Sequence, residues 1–208
     1  MKMKRLQKAH AAVIALGLCS ILALSLMSSA YAYYSSAGSL RNTLTTTGSS
    51  IYLREIFNPN DDWLPGETKP KEVNFGNGGK SDQVIRFRVE GQWKNSADED
   101  WSPLAENPVE INWTQSLADD WTMIVSAGGR EWYYYDHILR KDDETPMVME
   151  SVVFSRTLSN DSHAEDFTNT TYRIVVYLES LKVSAEITGA EWGVTFTGES
   201  ALEWRRLP

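Results

Sequence analysis

Hydrolytic or metal chemistry in this chain would have to be built from three histidines, His10, His137 and His163, and from adjacent acids such as Asp61-Asp62, Asp119-Asp120 and Asp142-Asp143. A catalytic zinc usually takes three protein ligands and keeps one open position, commonly with two His one helical turn apart and a Glu as base. The sequence has no HExxH, His137 and His163 are widely separated, and "YDHIL" sets Asp136 and His137 on opposite faces of a strand. A metallopeptidase site would need assembly from distant residues, and His163 in "NDSHAED" reads as a solvated loop residue. The adjacent acids suit a hard cation, but none lies in a D-x-[DN]-x-[DN]-G loop. Weak Ca2+ binding is the most they imply, and no cofactor is expected. With no G-x-S-x-G elbow, no Walker loop and a single cysteine, Cys19, the expectation is a protein that is not an enzyme.

A different chemistry is suggested by residues 131–137, "EWYYYDH", where four consecutive aromatics resemble a stacking platform for sugars or bases. In a strand, successive side chains point to opposite faces, so Trp132 and Tyr134 point one way and Tyr133 and Tyr135 the other. One pair then belongs to a core and the other to an outer face as cross-strand partners, with each buried Tyr hydroxyl needing a partner. Of the eight Trp, Trp113, Trp121, Trp132 and Trp192 fall within strand patterns. Trp63, Trp93, Trp101 and Trp204 lie in or near turn-rich or terminal segments and are the candidates for an exposed, sugar-binding face. A monomeric surface adhesin or carbohydrate-binding module is the alternative that these rings keep open.

The elements that must position these residues are short. "VIRFRV" (84–89) alternates Ile85, Phe87 and Val89 with Arg86 and Arg88, the period-two signature of a strand with one buried face. Similar runs recur at "VEINW", "WTMIV", "MESVVF", "TYRIVVYL" and "WGVTFTG", separated by the turn-formers "NPNDDWLPGE", "NFGNGGKSD", "SAGG" and "SNDSHAED". Many short strands without a long amphipathic helix predict an all-β, antiparallel β-sandwich, with at most a short helix at "QSLADD" or "HAEDF".

The N-terminus reads as an export signal. Lys2, Lys4, Arg5 and Lys8 precede an apolar run, 11–27, and small residues lead to Ala30-Tyr31-Ala32, an A-x-A pattern that places cleavage before Tyr33. An uncleaved run of ~17 residues would just span a bilayer, so membrane attachment is expected only through the uncleaved signal. Cys19 lies inside that run behind Leu18, which is too large for a lipoprotein cleavage site. Cleavage therefore leaves 33–208 with no thiol, and stability must come from the core without disulfides. Removing four of the 20 basic residues leaves 16 against 28 acidic ones, a surface that repels nucleic acid and anionic lipid. The expected organisation is a signal peptide (1–32), an N-terminal segment (33–50) and one sandwich domain (51–208), secreted to the matrix or cell surface.

Several segments together resemble the TasA/camelysin family. In "WTMIVSAGGREWYYYDHILRKDDETPMVMESVVFS" a Trp-Thr strand leads through a short turn into a Tyr-rich strand, a Leu, a turn, a Thr-Pro and a Ser-Val-x-Phe strand, in the family's order. "AYAYYSSAGSLRNTLTTTGSSIYL" is similar to its signal end and aromatic mature start, "WLPGETKPKEVNFGNGGKSDQVIRFRV" to its Trp-x-Pro-Gly segment and Arg-bearing strand, and "YRIVVYLESLKVS" to the strand before a late Trp, here Trp192. The chain departs from the pattern at 141–144, "KDDE", where relatives often carry a Pro-Gly turn.

The resemblance implies a jelly-roll-like sandwich from a Gram-positive bacterium, released by a dedicated signal peptidase and built into extracellular biofilm fibres. It implies partners of its own kind, either itself as a homopolymer or related matrix subunits, joined when the N-terminal strand of one subunit enters the next. Here 33–47 is Ser- and Thr-rich, poor in charge and free of proline, with Leu40 and Leu44 on one face of an extended strand. Leu40, Asn42 and Leu44 are the expected assembly contacts. A linker, or the molecule's own first strand, remains the other reading of the same segment.

Overall fold

The computed structural model describes residues 51–57, 63–64, 66–95, 101, 109–155, 170–199 and 201–208. Within them ten strands and two helices follow one another: β1 Ile51–Phe57, β2 Thr68–Asn77, β3 Gln83–Asn95, β4 Val109–Trp113, α1 Gln115–Asp120, β5 Trp121–Val125, β6 Glu131–Tyr135, β7 Met149–Phe154, β8 Thr170–Lys182, α2 Ala185–Trp192, β9 Val194–Thr197 and β10 Glu203–Arg206. Two four-stranded antiparallel sheets, ordered β1-β2-β7-β4 and β5-β6-β3-β8, pack face to face as a β-sandwich, and β9 and β10 form a separate hairpin.

The inner faces meet through aromatic rings. Phe75 of the first sheet lies 4.9 Å from Phe87 of the second, and Trp121 meets Phe87 edge-on at 4.8 Å, a T-shaped contact that suits the ring quadrupoles. At the other end Trp93 packs against Tyr172 at 4.6 Å, and Trp63 closes over Phe154 at 5.5 Å. Trp63 is held by its indole N–H, which donates to the Glu67 carbonyl at 2.9 Å. Trp63, Trp93 and Trp204 are therefore buried, at 2%, 6% and 7% exposure, against the expectation from their turn-rich or terminal positions. Turn residues around a Trp describe the backbone and say nothing about where a large ring finds cover.

Helix α1 occupies the expected "QSLADD", whereas "HAEDF" lies outside the described residues. Helix α2 escaped the periodicity reading, and Trp192 ends it instead of opening a strand. Its signals are local. The Ser184 hydroxyl accepts the Ile187 N–H at 3.3 Å, and Gly193 adopts φ 68°, the left-handed C-terminal cap that glycine takes without strain.

Strand β2 also escaped, for a different reason. Its inner face carries Lys69, Lys71, Val73, Phe75 and Asn77, so the sequence "TKPKEVNFGN" has no apolar alternation to read. Pro70 is tolerated because the register with β7 shifts between Pro70 and Val73, an irregularity that spares a ladder bond.

The corner between sheets is organised by Asn77, which is 1% exposed. Its amide nitrogen donates to the Ser81 and Leu139 carbonyls, both at 3.0 Å, while its oxygen accepts the Gly79 N–H at 2.9 Å. The divergent segment 141–144 closes as a turn, in which the Asp143 N–H donates to the Arg140 carbonyl at 3.1 Å and Asp142 takes φ 65°. Asp tolerates that conformation better than most residues with a side chain.

Glu144 then reaches the outer face of β1 and β2. It accepts from the Tyr52 hydroxyl (3.0 Å), Arg54 (3.1 Å) and the Asn74 amide (3.0 Å). The Tyr52 ring lies flat on Gly76, where any Cβ would overlap it. The Asn74 and Tyr52 hydrogen bonds hold the Glu144 carboxyl below its ordinary value of 4.5. Because this pKa is depressed on folding, the contribution is present above the unfolded value and is lost as pH falls through the folded one. Glu144→Gln should therefore show a smaller drop in melting temperature than the parent between about pH 6 and about pH 3, measured by thermal circular dichroism.

Candidate functional site

Strand β6 resolves the aromatic run. It pairs with β5 (Trp121↔Tyr135, Met123↔Tyr133) and with β3 (Arg86↔Tyr134, Phe87↔Tyr133), so its alternate residues go to opposite sides, as the sequence implies. Tyr133 stacks on Phe87 at 5.2 Å in the inter-sheet core, and Tyr135 packs on Trp121 at 4.9 Å. Burial raises the hydroxyl pKa of Tyr135 to about 12. Trp132 and Tyr134 point outward, but not to water. They are 6% and 1% exposed beneath α2 and the β9–β10 hairpin, in a second core with Val84, Val194, Leu202 and Trp204.

This outer core is built around cations. The Arg86 guanidinium lies between the indoles of Trp132 (4.1 Å) and Trp192 (4.6 Å), a cation–π sandwich that leaves the arginine side chain 10% exposed. Its Nε and one terminal nitrogen donate to a Glu179 carboxylate oxygen at 2.9 and 2.7 Å, and the other donates to the Tyr134 hydroxyl at 2.9 Å. Arg88 covers the Tyr177 ring at 3.4 Å and pairs with Glu90 at 2.9 Å. The hairpin is also tied by its indole, since Trp204 donates to the Tyr135 carbonyl at 3.0 Å. The four aromatics of 132–135 are thus mortar on both faces of one strand. No continuous stacking platform is formed.

The other predicted chemistry disperses. His137 follows β6 and sits 3.4 Å from an Asp120 carboxylate oxygen, while the neighbouring Asp136 accepts from the Thr122 hydroxyl at 2.7 Å. Burial raises the Asp136 pKa, with the Thr122 hydrogen bond opposing it. Asp119 accepts from Gln115, and Asp120 from Ser116 at 2.8 Å, so both acids are engaged within and beside α1. Among the described residues no three His, Cys, Asp or Glu side chains converge on a point. His10, Cys19, Asp61, Asp62 and His163 lie outside the described residues, as do Ala30, Ala32 and Tyr33 of the cleavage site and Leu40, Asn42 and Leu44 of the expected assembly segment.

The feature left over is an edge. Strand β5 ends the second sheet and is paired on one side only among the described strands. Trp121, Met123 and Val125 share its inner face by alternation, and while Trp121 is 5% exposed, Met123 and Val125 are 48% and 40% exposed. No Lys, Arg, Asp or Glu interrupts the strand "WTMIV". Met123 lies opposite Tyr133 and Val125 opposite Glu131 on β6, and their exposure is a tertiary fact. Comparison with protein-family models, with curated proteins and with solved structures gave no match in any of the three.

The Arg86 site makes a direct test. Arg86→Ala removes both indole contacts and leaves the Glu179 carboxylate without its cation, which should cost about 3 kcal/mol of unfolding free energy. Arg86→Lys keeps the charge but not the planar fork and should fall between the two. Urea midpoints read the loss, and a tryptophan emission change at an unaltered slope would locate it in the packed outer core.

Proposed function

We propose that this chain is a secreted, non-enzymatic structural subunit of an extracellular fibre, in which the N-terminal segment of one copy adds as a strand to the free β5 edge of the next. The observation that carries the reading is β5 itself: an uncharged edge strand with two exposed apolar residues on its inner face. Natural edge strands are ordinarily blunted by charge, proline or cover, so an open apolar edge is suited to receiving a strand. The incoming segment, 33–47, carries one charged residue, Arg41, no proline, and Leu40 and Leu44 on a common face. Main-chain hydrogen bonds would supply affinity, and alternate side chains packing on Met123 and Val125 would supply register. Donor and acceptor lie on different parts of the molecule, so the contact is head to tail, and one that does not close grows a filament.

The resemblance to the TasA/camelysin family supports the same reading, with related matrix subunits as partners in place of identical copies. The sugar-binding alternative loses three of its four rings, since Trp63, Trp93 and Trp204 are buried. Trp101 lies over the Arg173 guanidinium at 4.2 Å.

The test is negative-stain electron microscopy of 33–208 beside 48–208 and beside the double variant Met123→Lys/Val125→Lys. Filaments are expected from the first alone, with melting temperatures of all three within a few degrees, because Met123 and Val125 are already in contact with water. Filaments from the truncated or the Lys-bearing form would sink the proposal.

A further inference from the structure

The inner face of the β1–β2 pair holds an amine and a carboxyl in contact. Ile51, Leu53, Glu55 and Phe57 face inward along β1, and Lys69, Lys71 and Val73 along β2, with Lys71 paired to Phe57 and Val73 to Glu55. Lys71 is 0% exposed, and its Nζ touches Glu55 Oε1. The ammonium also sits 4.6 Å from the centre of the Phe57 ring. Glu55 Oε1 is itself buried and has no regular hydrogen bond beyond that contact.

Burial disfavours the charged form of Lys71 and lowers its pKa from 10.5 to about 7. A buried ion pair is a poor source of stability because both charges give up hydration. An amine held against a carboxyl, the amine wholly buried and the Glu55 side chain 21% exposed, has another outcome open to it, namely condensation.

We propose that the folded protein carries an intramolecular isopeptide bond between Lys71 Nζ and Glu55 Cδ, stapling edge strand β1 to β2. Within the pair Lys71 passes a proton to the Glu55 carboxylate, leaving an amine and a carboxylic acid. The Nζ lone pair attacks Cδ and the C–N bond forms. The C–OH bond then breaks, and the hydroxyl leaves with a proton from the attacking nitrogen as water. Amine plus acid gives amide plus water, with no oxidant or reductant. The fold supplies proximity, since adjacent paired strands hold the two groups in contact, and such positioning replaces the encounter that a solution reaction must wait for. The bond would remove a wholly buried charge with its partly exposed partner and close the 55–71 loop covalently. It would do so in a chain whose only cysteine, Cys19, lies in the export signal. This inference goes beyond the fibre reading and does not depend on it.

The test is the intact mass of the full secreted protein, followed by digestion and fragmentation. The expected mass is about 18 Da, one water, below that of the chain's own sequence, with a branched peptide joining the segments that contain Glu55 and Lys71. Glu55→Gln should give the same branched peptide with ammonia leaving instead, about 17 Da. Lys71→Arg should show the full mass even when it folds normally. An undiminished mass in the parent protein overturns the proposal. So does a loss that maps elsewhere, such as a succinimide at Asn77-Gly78. Neither reading involves filaments, so failure here is distinct from failure of the assembly proposal.

Discussion

Strand β3 is covered on both faces, and most of the architecture follows from that double burial. Ile85, Phe87 and Trp93 go into the space between the sheets, while Val84, Arg86 and Arg88 go under the C-terminal helix and hairpin. A buried arginine must be matched at every donor or it costs more than its packing returns. Arg86 meets that demand with Glu179 directly opposite on β8, Tyr134 on β6 and two indoles. The pairing of β3 with β8 runs unbroken from Gln83↔Lys182 to Asn95↔Thr170. A slip of one residue would turn Arg86 into the inter-sheet core and Phe87 out of it, so charge and ring together hold the register.

The outer core makes the last two dozen residues part of the fold. Helix α2 contributes Trp192, and the hairpin contributes Val194 and Trp204, each against rings that β6 presents outward. A run of four aromatics is unusual for a half-solvated sheet and ordinary for a strand buried on both sides. The same cover explains why the surface near β6 has no broad aromatic patch. Exposed apolar side chains among the described residues include Met123 and Val125 on the inner face of β5 and Tyr52 and Ile56 on the outer face of β1.

Among the described strands the two sheets end at β1, β4, β5 and β8, and β1 and β5 contrast sharply. Strand β1 carries Arg54 and Glu55 and is tied to its neighbours by Glu144 on one face and Lys71 on the other. Strand β5 carries no charge and has Met123 and Val125 in water. An edge that is braced and an edge that is open have different uses. The assembly proposal and the covalent staple address these two conditions separately.

The sequence by itself determined the all-β class, the strands β3 to β9 and the opposed faces of Trp132–Tyr134 and Tyr133–Tyr135. Period-two alternation and turn residues are local properties, and local physics is enough to read them. It was silent on β2, whose inward Lys69, Lys71 and Asn77 break the alternation, and on α2, which is marked only by its caps. Tertiary structure alone decided that Trp63, Trp93 and Trp204 are covered, that Met123 and Val125 are not, and that Glu55 meets Lys71. Each of these depends on what a distant part of the chain places against a face, and no spacing along the chain encodes that distance.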